Sequence, residues 1–223
     1  MKLHSFIIFL GTAIILICFF TALAFTKKEK PQYYKYIFAF IVLGLLLSVN
    51  TIASNNYAWR YALKIRIFFE QILLLFQSLM FSFFFLELLK KSRFVKSIKW
   101  LLILSMLIQI SLIIIVQIAN TEIRPATVLN LILLVYCYFY LRDLINNKPT
   151  LVLVKSSAFW LVMGIFFSSG IGFPISSLIP FISKSQQYSN LRFQIFSIYN
   201  MSLIIMYLFI IKSYLCLKHP QNL

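Results

Sequence analysis

The chain has 223 residues, 61% of them hydrophobic and only 12% charged, with a mean hydropathy of +0.91. That leaves too little polar surface to clothe a soluble globule, so composition alone places the chain in a bilayer. The net charge of +16 does not bring a nucleic-acid partner with it, because the basic residues fall between apolar runs rather than on a soluble basic face.

A hydrocarbon core about 30 Å thick is crossed by about 20 mainly apolar residues rising about 1.5 Å each. Seven runs meet that length: 5–25, 34–54, 66–89, 99–118, 126–141, 155–175 and 191–214. They are continuously apolar rather than alternating, which excludes a barrel and predicts an all-α, seven-helix polytopic membrane bundle forming one domain over 1–223. The connecting segments, such as TKKEKPQ at 26–32 and NTEIRP at 120–125, are too short for a separate soluble domain.

The first run starts after Lys2 and contains Ala22-Leu23-Ala24, which resembles a signal cleavage site. Lys27, Lys28 and Lys30 follow at once and would then have to be translocated, so the reading is a retained first helix. The third run holds Arg66 and Glu70 at i, i+4, with Gln71 beside the glutamate. Near its end stands Glu87, spaced to pair with Lys90 and Lys91. The segment KKSRFVKSIK at 90–99 is the densest charge run, read as a topology determinant that attracts anionic lipid.

The sixth run contains SAFWLVMGIFFSSG at 157–170. Gly164, Ser168 and Gly172 recur every fourth residue, a small-residue ridge that lets another helix approach closely. Its far end, Gly170-Ile171-Gly172-Phe173-Pro174, is expected to interrupt the helix, with the apolar tail to Pro180 bending or re-entering. Trp59, Trp100 and Trp160 fall at expected membrane boundaries and are assigned as interfacial anchors.

Alternate loops differ in basic residues, and cytoplasmic loops carry the excess. Fourteen lie on one side, in the segments around Lys27–Lys35, Lys90–Lys99, Arg142–Lys155 and Lys212–Lys218, against seven on the other. The N-terminus is therefore expected outside and the C-terminus in the cytoplasm. In that frame Glu70, Gln71, Gln117, Asn130, Gln194 and Asn200 all fall in the outer half. Ionisable and amide side chains at depth usually face a bundle interior or a water-filled cavity, so these six are the candidates for an outward-facing ligand pocket. The competing reading is that the amides simply stitch helices together.

No catalytic motif is present: there is no H-E-x-x-H, no Gly-rich phosphate loop and no nucleophile elbow. Cys18, Cys137 and Cys216 lack metal spacing, and His4 and His219 stand at opposite ends of the chain, so neither metal nor cofactor is expected. The stretch NMSLIIM at 200–206 has no lysine in the middle of the last helix, which excludes a retinal pigment. The chain is read as a non-enzyme.

Three stretches carry a resemblance: Glu70 in RIFFEQILLLFQSLMFSFFF, the Phe159-Trp160 pair followed by Gly164, and Asn200 in IFSIYNMSLIIMYLFII. Together with the layout, they make the chain resemble a family of small, uncharacterised bacterial seven-helix membrane proteins that occur alone or as the sensor region of histidine kinases. The family's proline before the Phe-Trp pair is replaced by Ala158. The resemblance implies a sensory subunit in the bacterial inner membrane, acting through a separate effector such as a histidine kinase. A small transporter or channel subunit and a structural scaffold of a membrane complex are the alternatives. No feature of the sequence specifies an oligomeric state.

Overall fold

The computed structural model describes residues 2–25, 31–54, 63–119, 125–147, 156–183 and 189–217. These form seven α-helices: α1 (Lys2–Ala24), α2 (Tyr34–Ser54), α3 (Leu63–Leu88), α4 (Val95–Ala119), α5 (Pro125–Asn147), α6 (Ser157–Ser183) and α7 (Ser189–Cys216). Helix is the form such runs must take, because hydrocarbon offers no partner to an unpaired backbone N–H or C=O. Within α3 to α7 the stretches Glu70–Leu88, Val95–Ile115, Ala126–Asn146, Ser157–Ile179 and Gln194–Cys216 are long and apolar enough to cross a membrane. α1 and α2 carry the shorter apolar stretches Phe9–Ala24 and Tyr34–Ser48.

Local chemistry sets several boundaries. Proline opens α5 at Pro125, where a missing N–H costs nothing. Pro31 precedes α2, and its carbonyl accepts from the Tyr34 N–H at 3.1 Å. Ser92 starts α4: its hydroxyl oxygen accepts from the Phe94 N–H at 3.3 Å and its carbonyl from the Val95 N–H at 3.3 Å.

Each helix packs on its neighbours in chain order, and α7 returns to α1, so the seven close into a ring. α3 also touches α5 directly. That contact leaves α4 outside, lying over the α3–α5 junction, and α4 is the least buried of the five long spans. Its buried positions are Ile98, Ser105 and Gln109, and Gln109 Nε2 donates to Ser78 Oγ of α3 at 2.8 Å. One polar contact of this kind contributes about 0.6–2 kcal/mol in a membrane, where apolar side chains gain nothing by leaving lipid.

The other six helices surround a core rich in aromatic rings. Phe40 of α2 lies 4.5 Å from Phe81 of α3 and 5.8 Å from Tyr207 of α7, measured between ring centroids. Phe85 of α3 meets Tyr136 of α5 at 5.2 Å. Cys18 and Ala22 of α1 are wholly buried in the same cluster.

The expected interruption of the sixth helix does not occur. α6 runs through Gly170, Gly172 and Pro174 to Ser183 without a break. Pro174 has no N–H to give the Gly170 carbonyl, so one hydrogen bond is missing. Leaving the helix would unpair several more backbone groups in hydrocarbon, so continuing is the cheaper course. The hydroxyls of Ser176 and Ser177 both donate to the Phe173 carbonyl, at 3.0 and 2.9 Å, and reinforce the turn. A broken-helix site was the feature that favoured a transporter, and that feature is absent from α6.

Candidate functional site

Two polar assemblies stand out, one in the half of the bundle that holds Asn130 and one at the opposite, basic end. The first forms where α5, α6 and α7 meet. Asn130 of α5 is buried and lies against Gly172 of α6, with the Tyr199 ring of α7 alongside. A methyl at position 172 would sit 2.8 Å from Asn130 Nδ2 and 3.1 Å from a Tyr199 ring carbon. Glycine there makes room for the amide. Asn130 Nδ2 is buried there and has no acceptor among the described residues.

The other pocket candidates differ in burial. Glu70 is half-buried and Gln71 buried, consecutive at the start of the α3 span. Asn200 of α7 is half-buried, whereas Gln194 is exposed. The side chains of Gln117 and Arg66 lie outside the described residues. Tyr199 drew no notice in the sequence, being one of twelve tyrosines; its position directly before Asn200 was the available signal.

Along the α6 ridge, Gly164 meets α7. A methyl there would fall 2.8 Å from Phe209 Cβ and 3.2 Å from the Met206 carbonyl, so the two backbones approach as closely as glycine permits. Ser168 is buried between the two glycines. Trp160 is half-buried and stacks on Phe209 of α7 at 5.5 Å, with Lys212 Nζ 5.9 Å from its ring. It anchors the α6–α7 seam. Trp100 is exposed, as an interfacial residue should be, and Trp59 lies outside the described residues.

At the basic end, the Ser213 hydroxyl of α7 donates to the Ser157 carbonyl of α6 at 2.8 Å. A serine has one proton to give, so in the 2.5 Å contact between them the Tyr34 hydroxyl is the donor and Ser213 Oγ the acceptor. Tyr33 reaches Ser157 Oγ at 3.3 Å. Burial pushes the Tyr33 phenol above its ordinary pKa, and the Ser157 hydrogen bond opposes that only in part, so it stays neutral. Beside this cluster is a cavity of about 150 Å³ lined by Leu88, Leu89, Tyr140, Asp143, Leu144, Ser156 and Ala158. Asp143 accepts from Ser92 Oγ at 2.6 Å, and Glu87 pairs with Lys90 at 2.6 Å. Among the described residues no three His, Cys, Asp or Glu side chains gather as a metal site would require.

Comparison with protein-family models, with curated proteins and with solved structures finds no match to this chain.

Proposed function

We propose that the chain is a sensory subunit of a bacterial inner membrane, with its N-terminus outside and its basic end in the cytoplasm. It reads a ligand or a state of the bilayer in the outer half and acts through a separate effector, such as a histidine kinase. The observation that carries this reading is the Asn130 junction. A buried amide donor without an acceptor costs about 1–3 kcal/mol, and an acceptor atom from a ligand, or a shift of α7 against α6, removes that cost.

The same helix supplies a route to the other side. α7 carries Tyr199 at the junction and Ser213 and Tyr214 at the basic end, and its close seam with α6 runs between them. A small displacement at Tyr199 therefore reaches the hydrogen bonds of Ser157 and Tyr34. The outer positions expected from the sequence for Glu70, Gln71 and Asn200, together with the family resemblance, favour the same reading.

Purification of the tagged chain from native membranes into lipid nanodiscs tests it. The reading expects a signalling protein at a fixed ratio to the chain, with that ratio altered by Asn130→Leu. A chain that reproducibly purifies alone contradicts it.

A further inference from the structure

The basic end gathers eight cationic side chains on described residues: Lys35, Lys90, Lys91, Arg93, Lys96, Lys99, Arg142 and Lys212. Two of them converge. The guanidinium carbon of Arg93 lies 5.0 Å from the centroid of Phe94, and that of Arg142 lies 5.5 Å from the same ring, so the two charges are no further apart than the sum of those distances. Phe94 is itself fixed by stacking on Phe139 of α5 at 5.0 Å. Arg142 Nη1 also donates to Tyr138 at 3.4 Å.

Neither guanidinium has a carboxylate partner among the described residues. Asp143, next in sequence to Arg142, faces the inner cavity and is engaged by Ser92. Glu87 is taken by Lys90. Two like charges are thus held about one ring at the exposed basic boundary, without a carboxylate between them among the described residues, an arrangement that an oxyanion reaching both would stabilise.

The surroundings indicate which oxyanion. α4 begins directly after Phe94 and presents Trp100, Ile103, Leu104 and Leu107, all at least half exposed and spaced i, i+3, i+4, i+7. Cations, then an interfacial tryptophan, then an aliphatic stripe follow one another down the same helix, which is the order of headgroup, interface and acyl chain in a leaflet. We propose that Arg93 and Arg142, held about Phe94 at the foot of α4, bind the phosphate of an anionic phospholipid whose acyl chains lie along α4.

Native mass spectrometry of the detergent-purified full chain, titrated with phosphatidylglycerol or with phosphatidylcholine of the same acyl chains, tests this. The wild type should prefer phosphatidylglycerol by about tenfold, and R93Q/R142Q should lose that preference while K212Q keeps it. R93K/R142K keeps both charges but loses the planar fork, so it should bind more weakly than the wild type and remain folded. Equal binding of the two lipids by the wild type overturns the proposal. So does an unchanged preference in R93Q/R142Q, or an equal loss in K212Q. Displacement of the lipid by millimolar inorganic phosphate would make this a small-anion site and would also overturn it.

Discussion

Gly164 packs against backbone, because the atoms nearest a new methyl include the Met206 carbonyl, which cannot swing aside. Gly164→Ala should therefore cost about 1–3 kcal/mol despite alanine's better helix propensity. Gly170→Ala serves as its control, since no atom lies within 4 Å of that added methyl. Thermal unfolding in detergent should show a lowered midpoint for the first variant and an equal or higher one for the second. Equal midpoints would mean that the α6–α7 seam is looser than described. At the basic end, Tyr34→Phe removes the donor to Ser213 while leaving Ser213 bonded to Ser157, and the expected loss is about 1 kcal/mol by the same assay.

At the scale of helices, existence and type were legible in the sequence because a bilayer permits one solution for a long apolar run. What could not be read is how each helix is rotated. The small-residue ridge of α6 marked a packing face but not which helix meets it, and α7 spreads its polar residues over all sides, so no face of it announces a partner. Asn130 could be picked out by its depth alone, but its contact with Gly172 depends on the turn of two helices, and Tyr199 had nothing to mark it among the other aromatics. The misjudged α6 came from reading Gly170, Gly172 and Pro174 as the interrupted helix of a transporter site, whereas glycine and one proline are carried within a continuous membrane helix at less cost than unpairing the backbone. Pro174 is exposed on a continuous helix, so Pro174→Ala should restore a hydrogen bond to Gly170 and leave stability equal or raised. Loss of assembly on that change would show that Pro174 has a packing role that alanine cannot fill.

Taken as a whole, the molecule is a closed ring of seven helices whose two ends differ in chemistry. Among the described residues, one end holds the cations that stand near aromatic rings, including Lys35 at 4.9 Å from Tyr36 and Lys212 at 5.9 Å from Trp160. Each such contact contributes about 0.5–1 kcal/mol at an exposed site and holds charge at the boundary, which resists moving that end through a bilayer. The opposite half holds Asn130 beside Gly172 and Tyr199, and the proposed function requires that it face outward. Single-cysteine labelling in intact cells, in a background lacking Cys18, Cys137 and Cys216, measures this directly with a membrane-impermeant maleimide. The account predicts that Gln194→Cys is labelled in intact cells and that Ser97→Cys is labelled only after permeabilisation. The reverse pattern would place the basic end outside and contradict it.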